Sequence, residues 1–448
     1  MSHLIFLTIF FIVGILNLAL GLLASKNVKT TKDFLVAGRS LGLIPVTLTL
    51  LATQIGGGML LITDQEAYKI GYFETLYSLG VVLGLLILGL GIASKLRSLN
   101  ITTTSEIFEL KYNCPTLNKI ASIFSIVSLF GILVGQIIAS RLVLSHLGIE
   151  NEFLTIIFWL FIMIYTTTGG LKAVAFTDSF QVIFIFLVLG SIFLYTFYFE
   201  TDTIFSISAI IKHQKLFPNI KINHSDILSI ILMPALFSLI GQDVAQRFFA
   251  SKTKRIATIS ALLSCMLLII FSFIPLYFGI KAKLLGLELT KNPFLAVISK
   301  LTNETIGVLA AYGIMAAITS TGDSLLVAII SNMFQFFKNG VLGVKNKLAS
   351  IRIMTLITGT LALIFSYFIP TNLIRIIIGS YELSVSCLLV PTLFGYFKKN
   401  LNKKAAMTSI LFGLVGFILF RIYPTQLPRG ITATFLSLMG YFIGNKIK

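Results

Sequence analysis

Long apolar runs alternate with short polar joints along the whole chain. A bilayer-spanning helix needs about 17–25 predominantly apolar residues. Thirteen such runs are read here, at roughly 3–23, 43–62, 72–95, 119–145, 153–168, 173–199, 226–247, 257–280, 304–336, 350–369, 372–397, 405–422 and 430–446. Three of them break the apolar pattern. The second contains Ala52-Thr53-Gln54-Ile55-Gly56-Gly57-Gly58-Met59. Each glycine costs about 1 kcal/mol against alanine inside a helix, so three in a row beside Gln54 predict an unwound segment. The seventh is interrupted at Gly241-Gln242-Asp243, followed by Gln246-Arg247. The ninth carries Ala317, Ser320, Thr321 and Ser324 at i, i+3, i+4 and i+7, which is one helical face, with Asp323 at its edge. Polar groups at membrane depth must find partners in protein, water or an ion. Such a stripe therefore points to a small polar ligand.

Composition agrees with an all-α polytopic membrane protein without a sizeable soluble domain. The 448 residues are 56% hydrophobic and 12% charged, with mean hydropathy +0.96, where soluble proteins carry about 25% charge. The net charge of +18 invites a nucleic-acid reading, but its placement speaks against one. With the N-terminus outside and the spans alternating, 23 of the 35 basic residues fall in inner joints. Most of the rest lie in two long loops, about 200–225 and 281–303, where the positive-inside rule has little force. The charge thus orients the chain with its N-terminus out and C-terminus in. Residues 3–23 lack a basic segment before the apolar stretch and read as a helix rather than a signal peptide. Cys114, Cys265 and Cys387 are scattered, and His3, His146, His213 and His224 fall at or near joints, so neither a disulfide framework nor a metal cluster is expected. A nucleophile elbow, an HExxH motif and a phosphate loop are all missing, so the chain is not expected to be an enzyme.

Glycine-interrupted spans in corresponding places point to an inverted-repeat transporter. The two breaks lie in the first helix of two five-helix blocks, 43–199 and 226–397, within one transmembrane domain. Residues 3–23 precede the blocks, and two helices over 405–446 follow them. Unwound backbone frees carbonyl oxygens, and carbonyls with hydroxyls suit a hard monovalent cation. A solute would bind against the breaks, with Gln54, Gly56 and Gln242 as candidates. Glu74 and Arg141, at the outer ends of their spans, are further candidates. Little charge surrounds the first break, which favours a small neutral or zwitterionic solute. Arg247 is expected to mark the inner end of its helix, and Asp178 to lie near a membrane end.

The chain resembles the sodium:solute symporter family. The resemblance rests on Asp33 to Gly42 (Asp-Phe-Leu-Val-Ala-Gly-Arg-Ser-Leu-Gly), Ala52 to Gly58, Gly169 to Val174 with Thr177 to Gln181, Gly241 to Arg247, and Ala317 to Ser324. These stand in the family's order and at its spacing. The resemblance implies a LeuT-type fold and sodium-coupled uptake by alternating access, with no cofactor beyond bound Na+. It implies a main sodium site made by the carbonyls of Ala52, Ile55 and Ala317 and the hydroxyls of Ser320 and Thr321. A second ion, bound by some members, would fall at Asp178 and Ser324. There this sequence departs, with Asp323 where those members have serine. That carboxylate suits a stronger second site, an internal ion pair or proton coupling. Proton coupling through Asp178, Asp323 or Asp243 is the rival on the same fold. A solute sensor is a weaker one, since no signalling domain follows the last span. A composition rich in Ile, Lys, Phe and Asn hints at an AT-rich bacterial genome, and the expected location of such a polytopic chain is a bacterial inner membrane.

Overall fold

The apolar runs become helices. The computed structural model describes residues 2–26, 28–149, 151–199, 204, 224–288, 292–337, 346–369, 372–398, 401–423 and 425–447. The helices are α1 (Ser2–Ser25), α2 (Thr31–Val36), α3 (Leu43–Gln54), α4 (Thr63–Ile70), α5 (Thr75–Ile87), α6 (Ala93–Ser98), α7 (Glu106–Tyr112), α8 (Pro115–His146), α9 (Glu152–Phe199), α10 (His224–Ser238), α11 (Gln242–Ala250), α12 (Lys254–Leu284), α13 (Pro293–Leu301), α14 (Glu304–Phe336), α15 (Lys347–Phe365), α16 (Leu373–Phe397), α17 (Lys403–Ile422) and α18 (Arg429–Lys446). The described residues contain no β-strand.

Among the described residues, ten helices are long and apolar enough to cross a membrane, eleven with a bent pair counted as one. Helix α9 has 48 residues, about 72 Å if straight and far more than a bilayer core of about 30 Å. It kinks at Gly170, where φ is 53° and ψ −145°. A side chain there would meet the Phe34 carbonyl at 2.5 Å and its ring at 2.6 Å, so only glycine fits. The two halves correspond to the runs 153–168 and 173–199. The expected thirteen is reached only by counting both halves and adding α18, an 18-residue helix outside the ten, so it holds as an approximate count.

The bent pair is the second run. Helix α3 ends at Gln54, and the chain resumes in a π-helical turn at Gly58–Ile62 that leads into α4, with the two parts inclined by 48°. Lipid-facing side chains such as Leu90, Leu187, Met266, Phe368 and Phe435 are exposed, as a bilayer rather than water requires. Helix α14 is the reverse case, with its apolar window wholly buried. It packs against α8 and α9 and touches α3 at the break. The polar stripe therefore sits in the middle of the protein.

Candidate functional site

The first break is where α3 gives up its helical hydrogen bonds. Ile55 still donates to Leu51 O at 2.8 Å, but its ψ of 72° turns its own carbonyl away from the helix direction. The Gly57 N–H, which a continuing helix would aim at Thr53 O, instead donates to Gln136 Oε1 on α8 at 2.9 Å. Carbonyls at the end of α3 are thereby freed, and α14 supplies hydroxyls to meet them. Ser320 Oγ donates to Ala52 O at 3.2 Å and to Ala317 O at 3.0 Å. Thr321 Oγ1 lies 3.2 Å from Ala52 O and 3.3 Å from Thr53 O. Ala52, Ile55, Ala317 and Ser320 are fully buried and Thr321 nearly so. Four of the five expected sodium-site residues are thus joined directly by hydrogen bonds, and Ile55 is the residue at which α3 unwinds.

The glycines explain how the helices come this close. A Cβ on Gly56 would overlap the Thr321 hydroxyl and lie 2.9 Å from Thr321 Cβ, and one on Gly57 would lie 2.7 Å from Ala139 Cβ. Farther along α14, a Cβ on Gly322 would lie 2.6 Å from the ring of Trp159, whose Nε1 donates to Ser140 Oγ at 3.1 Å.

A cavity opens beside this junction. It is lined by Gln54, Gly56 and Thr321 at the break and by Gln136, Tyr77, Phe237, Tyr381 and Asp243 from the surrounding helices. Gln54 and Gly56, two of the expected solute residues, are therefore at the cavity. Gln242 is not among the lining residues. Its amide accepts from Thr104 N at 2.8 Å and donates to Thr102 O at 2.9 Å, holding the loop before α7. Arg141 is also elsewhere. It pairs with Glu152 at 3.2 Å, lies over the Tyr367 ring at 4.3 Å and lines a separate cleft. Glu74 falls in a short helical turn, Gly71–Glu74, and its side chain lies outside the described residues. Gln136, Tyr77 and Tyr381 were not singled out in the sequence. Gln136 alone had a visible signal, as an amide inside an apolar run.

The expected second-ion residues form a buried polar cluster. Asp178, Asp323, Ser324 and Arg247 are all fully buried. Arg247 lies in the last turn of α11, as expected, but is buried rather than solvated, and Asp178 is buried within α9 rather than near a membrane end. Arg247 Nη2 lies 3.8 Å from Asp178 Oδ2 and donates to Ser324 Oγ, while Nη1 donates to Asp243 O at 2.7 Å. Thr49 Oγ1 donates to Asp178 Oδ2. Tyr165 donates to Asp323 Oδ2 at 2.5 Å, and Thr53 Oγ1 lies 3.2 Å from Ser324 Oγ. A buried guanidinium thus stands at the very groups, Asp178 and Ser324, that would hold a second cation. A further acid, Glu382 on α16, pairs with Arg429 Nε at 2.5 Å. Among the described residues no group of three or more His, Cys, Asp or Glu side chains is arranged to hold a metal ion.

Comparison with known proteins gives the class. The model of the sodium:solute symporter family matches residues 34–413. The chain belongs to that family. The sodium/pantothenate symporter of Escherichia coli (strain K12) is 24% identical over 441 residues, covering 92% of this chain and 90% of that protein. The sodium-coupled monocarboxylate transporter 1 of Xenopus laevis is 33% identical over 162 residues, 36% of this chain. The matched part spans about a quarter of that relative's length, 26%. The solved structure of a Na+-coupled sialic acid symporter in a substrate-bound outward-open state superimposes with a TM-score of 0.81 at 18% identity, covering 98% of this chain and 97% of that one. The fold is of the LeuT type.

Proposed function

We propose that the protein is a sodium-coupled symporter that imports a small organic solute by alternating access. The observation that carries this reading is the convergence of the Ser320 and Thr321 hydroxyls on the carbonyl of Ala52, where α3 unwinds. Na+ at that point would draw on the carbonyls of Ala52, Ile55 and Ala317 and on both hydroxyls. It would pin the broken helix to α14, favour the outward-facing state and pre-form the adjoining cavity. Solute would then permit closure, and release would follow when α3 and α14 part. The two blocks 43–199 and 226–397 are the repeats that move against each other. The chain sits in a bacterial inner membrane, N-terminus outside and C-terminus inside, with Na+, the solute and the lipid bilayer as its partners.

One ion per cycle is our reading, because Arg247 supplies the positive charge at Asp178 and Ser324 that a second Na+ would otherwise bring. Proton coupling is the second reading, favoured by the buried contact of Asp323 with Tyr165.

Thermal unfolding of the purified protein in NaCl and in KCl at equal ionic strength separates them. An ion at about ten times its dissociation constant stabilises the folded form by about 1.4 kcal/mol. A sodium-specific rise is expected in the wild type and not in Thr321→Ala. A rise with neither salt, together with a strong pH dependence, would replace sodium by protons.

A further inference from the structure

The central cavity contains a charge that the sodium site does not use. Asp243 lies in the first turn of α11, just past the second break, and is 6% exposed. Its Oδ1 is buried without a hydrogen-bond partner among the described residues. Arg247, one turn on, lies close enough to offset part of its charge but does not hydrogen-bond that oxygen. That guanidinium bonds the backbone carbonyl of Asp243 through Nη1 and turns Nη2 to Ser324 and Asp178. The sodium site does not need the carboxylate either, since its five groups are carbonyls and hydroxyls.

Among the described lining residues Asp243 is the one carboxylic acid; no Lys, Arg or His faces the cavity. The wall beside it is aromatic. Phe237 and Tyr381 stack with ring centroids 4.6 Å apart and planes 29° apart, and Tyr77 hydrogen-bonds Tyr381 through its side chain. A buried carboxylate oxygen without a partner is costly, and a cation or a strong donor relieves it. Aromatic faces attract cations and repel anions. A solute carboxylate would meet this acid with no basic side chain lining the cavity to bind it.

We infer that the solute carries a protonated amine, held by the Asp243 carboxylate against the aromatic wall of Phe237, Tyr77 and Tyr381. The inference rests on the symporter reading of this same cavity. It departs from the monocarboxylate and the pantothenate for which the two relatives described above are named.

The test uses the full-length protein in detergent with NaCl, titrated with butylamine, butyrate and butyramide, one skeleton with three head groups. Thermal stabilisation is expected from butylamine alone. In Asp243→Asn the apparent affinity should fall by about tenfold or more, the scale of a charge-assisted hydrogen bond, and Asp243→Glu should recover part of it. The sodium-induced rise in Asp243→Asn shows that this variant is folded. Stabilisation by butyrate or butyramide at least equal to that by butylamine would overturn the inference. So would an amine response unchanged in Asp243→Asn, no amine response beside an intact sodium response, or loss of the sodium response itself in Asp243→Asn. Failure of the symporter reading looks different, because there the wild type shows no sodium response at all, while its amine response is still compared with that of Asp243→Asn.

Discussion

A methyl group on Gly56 would fall on the Thr321 hydroxyl, with Thr321 Cβ only 2.9 Å away. Backbone and hydroxyl cannot both keep their places. Gly56→Ala is expected to cost about 1–3 kcal/mol, as overpacked cores do, and to remove the sodium-induced rise in unfolding temperature. Gly190→Ala, at a helical glycine with open space around it, should change neither. This junction was largely legible in the sequence, because both halves are local patterns. The glycine run Gly56 to Gly58 breaks one helix, and the spacing of Ala317, Ser320 and Thr321 makes a face on another. Asp243 was legible only as an acid in an apolar run. Its relation to the aromatic wall was hidden, since Tyr77 and Tyr381 lie far from it in the chain and tyrosines are common in this sequence.

Three helices are tied together through one guanidinium. Arg247 on α11 reaches Asp178 on α9 and Ser324 on α14. Breaking a buried ion pair by removing one partner typically costs about 3–5 kcal/mol, because the other charge is stranded. Arg247→Gln is expected to destabilise the protein by that amount. Asp178→Asn with Arg247→Gln should cost less than the sum of the single changes, which a double-mutant cycle of unfolding free energies would show. Additive costs would mean that the two side chains do not act as a pair. The sequence concealed this tie for a physical reason. Arg247 stands at the end of an apolar run followed by Lys252, Lys254 and Arg255, and helix-end basic residues ordinarily reach water. Only the packing of α11 against α3, α6 and α14 buries it. The fusion of two expected spans into α9 was likewise hidden, because helical hydrogen bonding runs up to Gly170 from both sides and the joint between the spans has no loop.

The proposed orientation, the central junction and the membrane potential together set what the proposed machine achieves. A membrane potential of 100 mV supplies about 2.3 kcal/mol per charge, and a tenfold sodium gradient adds about 1.4 kcal/mol. One ion per cycle therefore supports accumulation of a neutral solute by several hundredfold. A solute that itself carries positive charge gains the electrical term a second time. The pair of Asp178 with Arg247 matters at this level, since on the one-ion reading proposed above a guanidinium in place of a second Na+ would set the concentrating power of the cycle without altering the fold.

The chain contains a single tryptophan, Trp159, and its ring closes against Gly322, the residue after Thr321. The protein thus contains one indole, excitable selectively at wavelengths where its tyrosines do not absorb, placed within a helical turn of the proposed ion ligands. Any movement of α14 as Na+ arrives should alter the emission of that one indole. Titration with NaCl should change the fluorescence saturably in the wild type and not in Thr321→Ala, and KCl should leave both flat. Emission indifferent to sodium in the wild type would mean that α14 does not move at Trp159 when the ion binds. A saturable sodium response of this kind would make occupancy of the proposed ion site readable without a label.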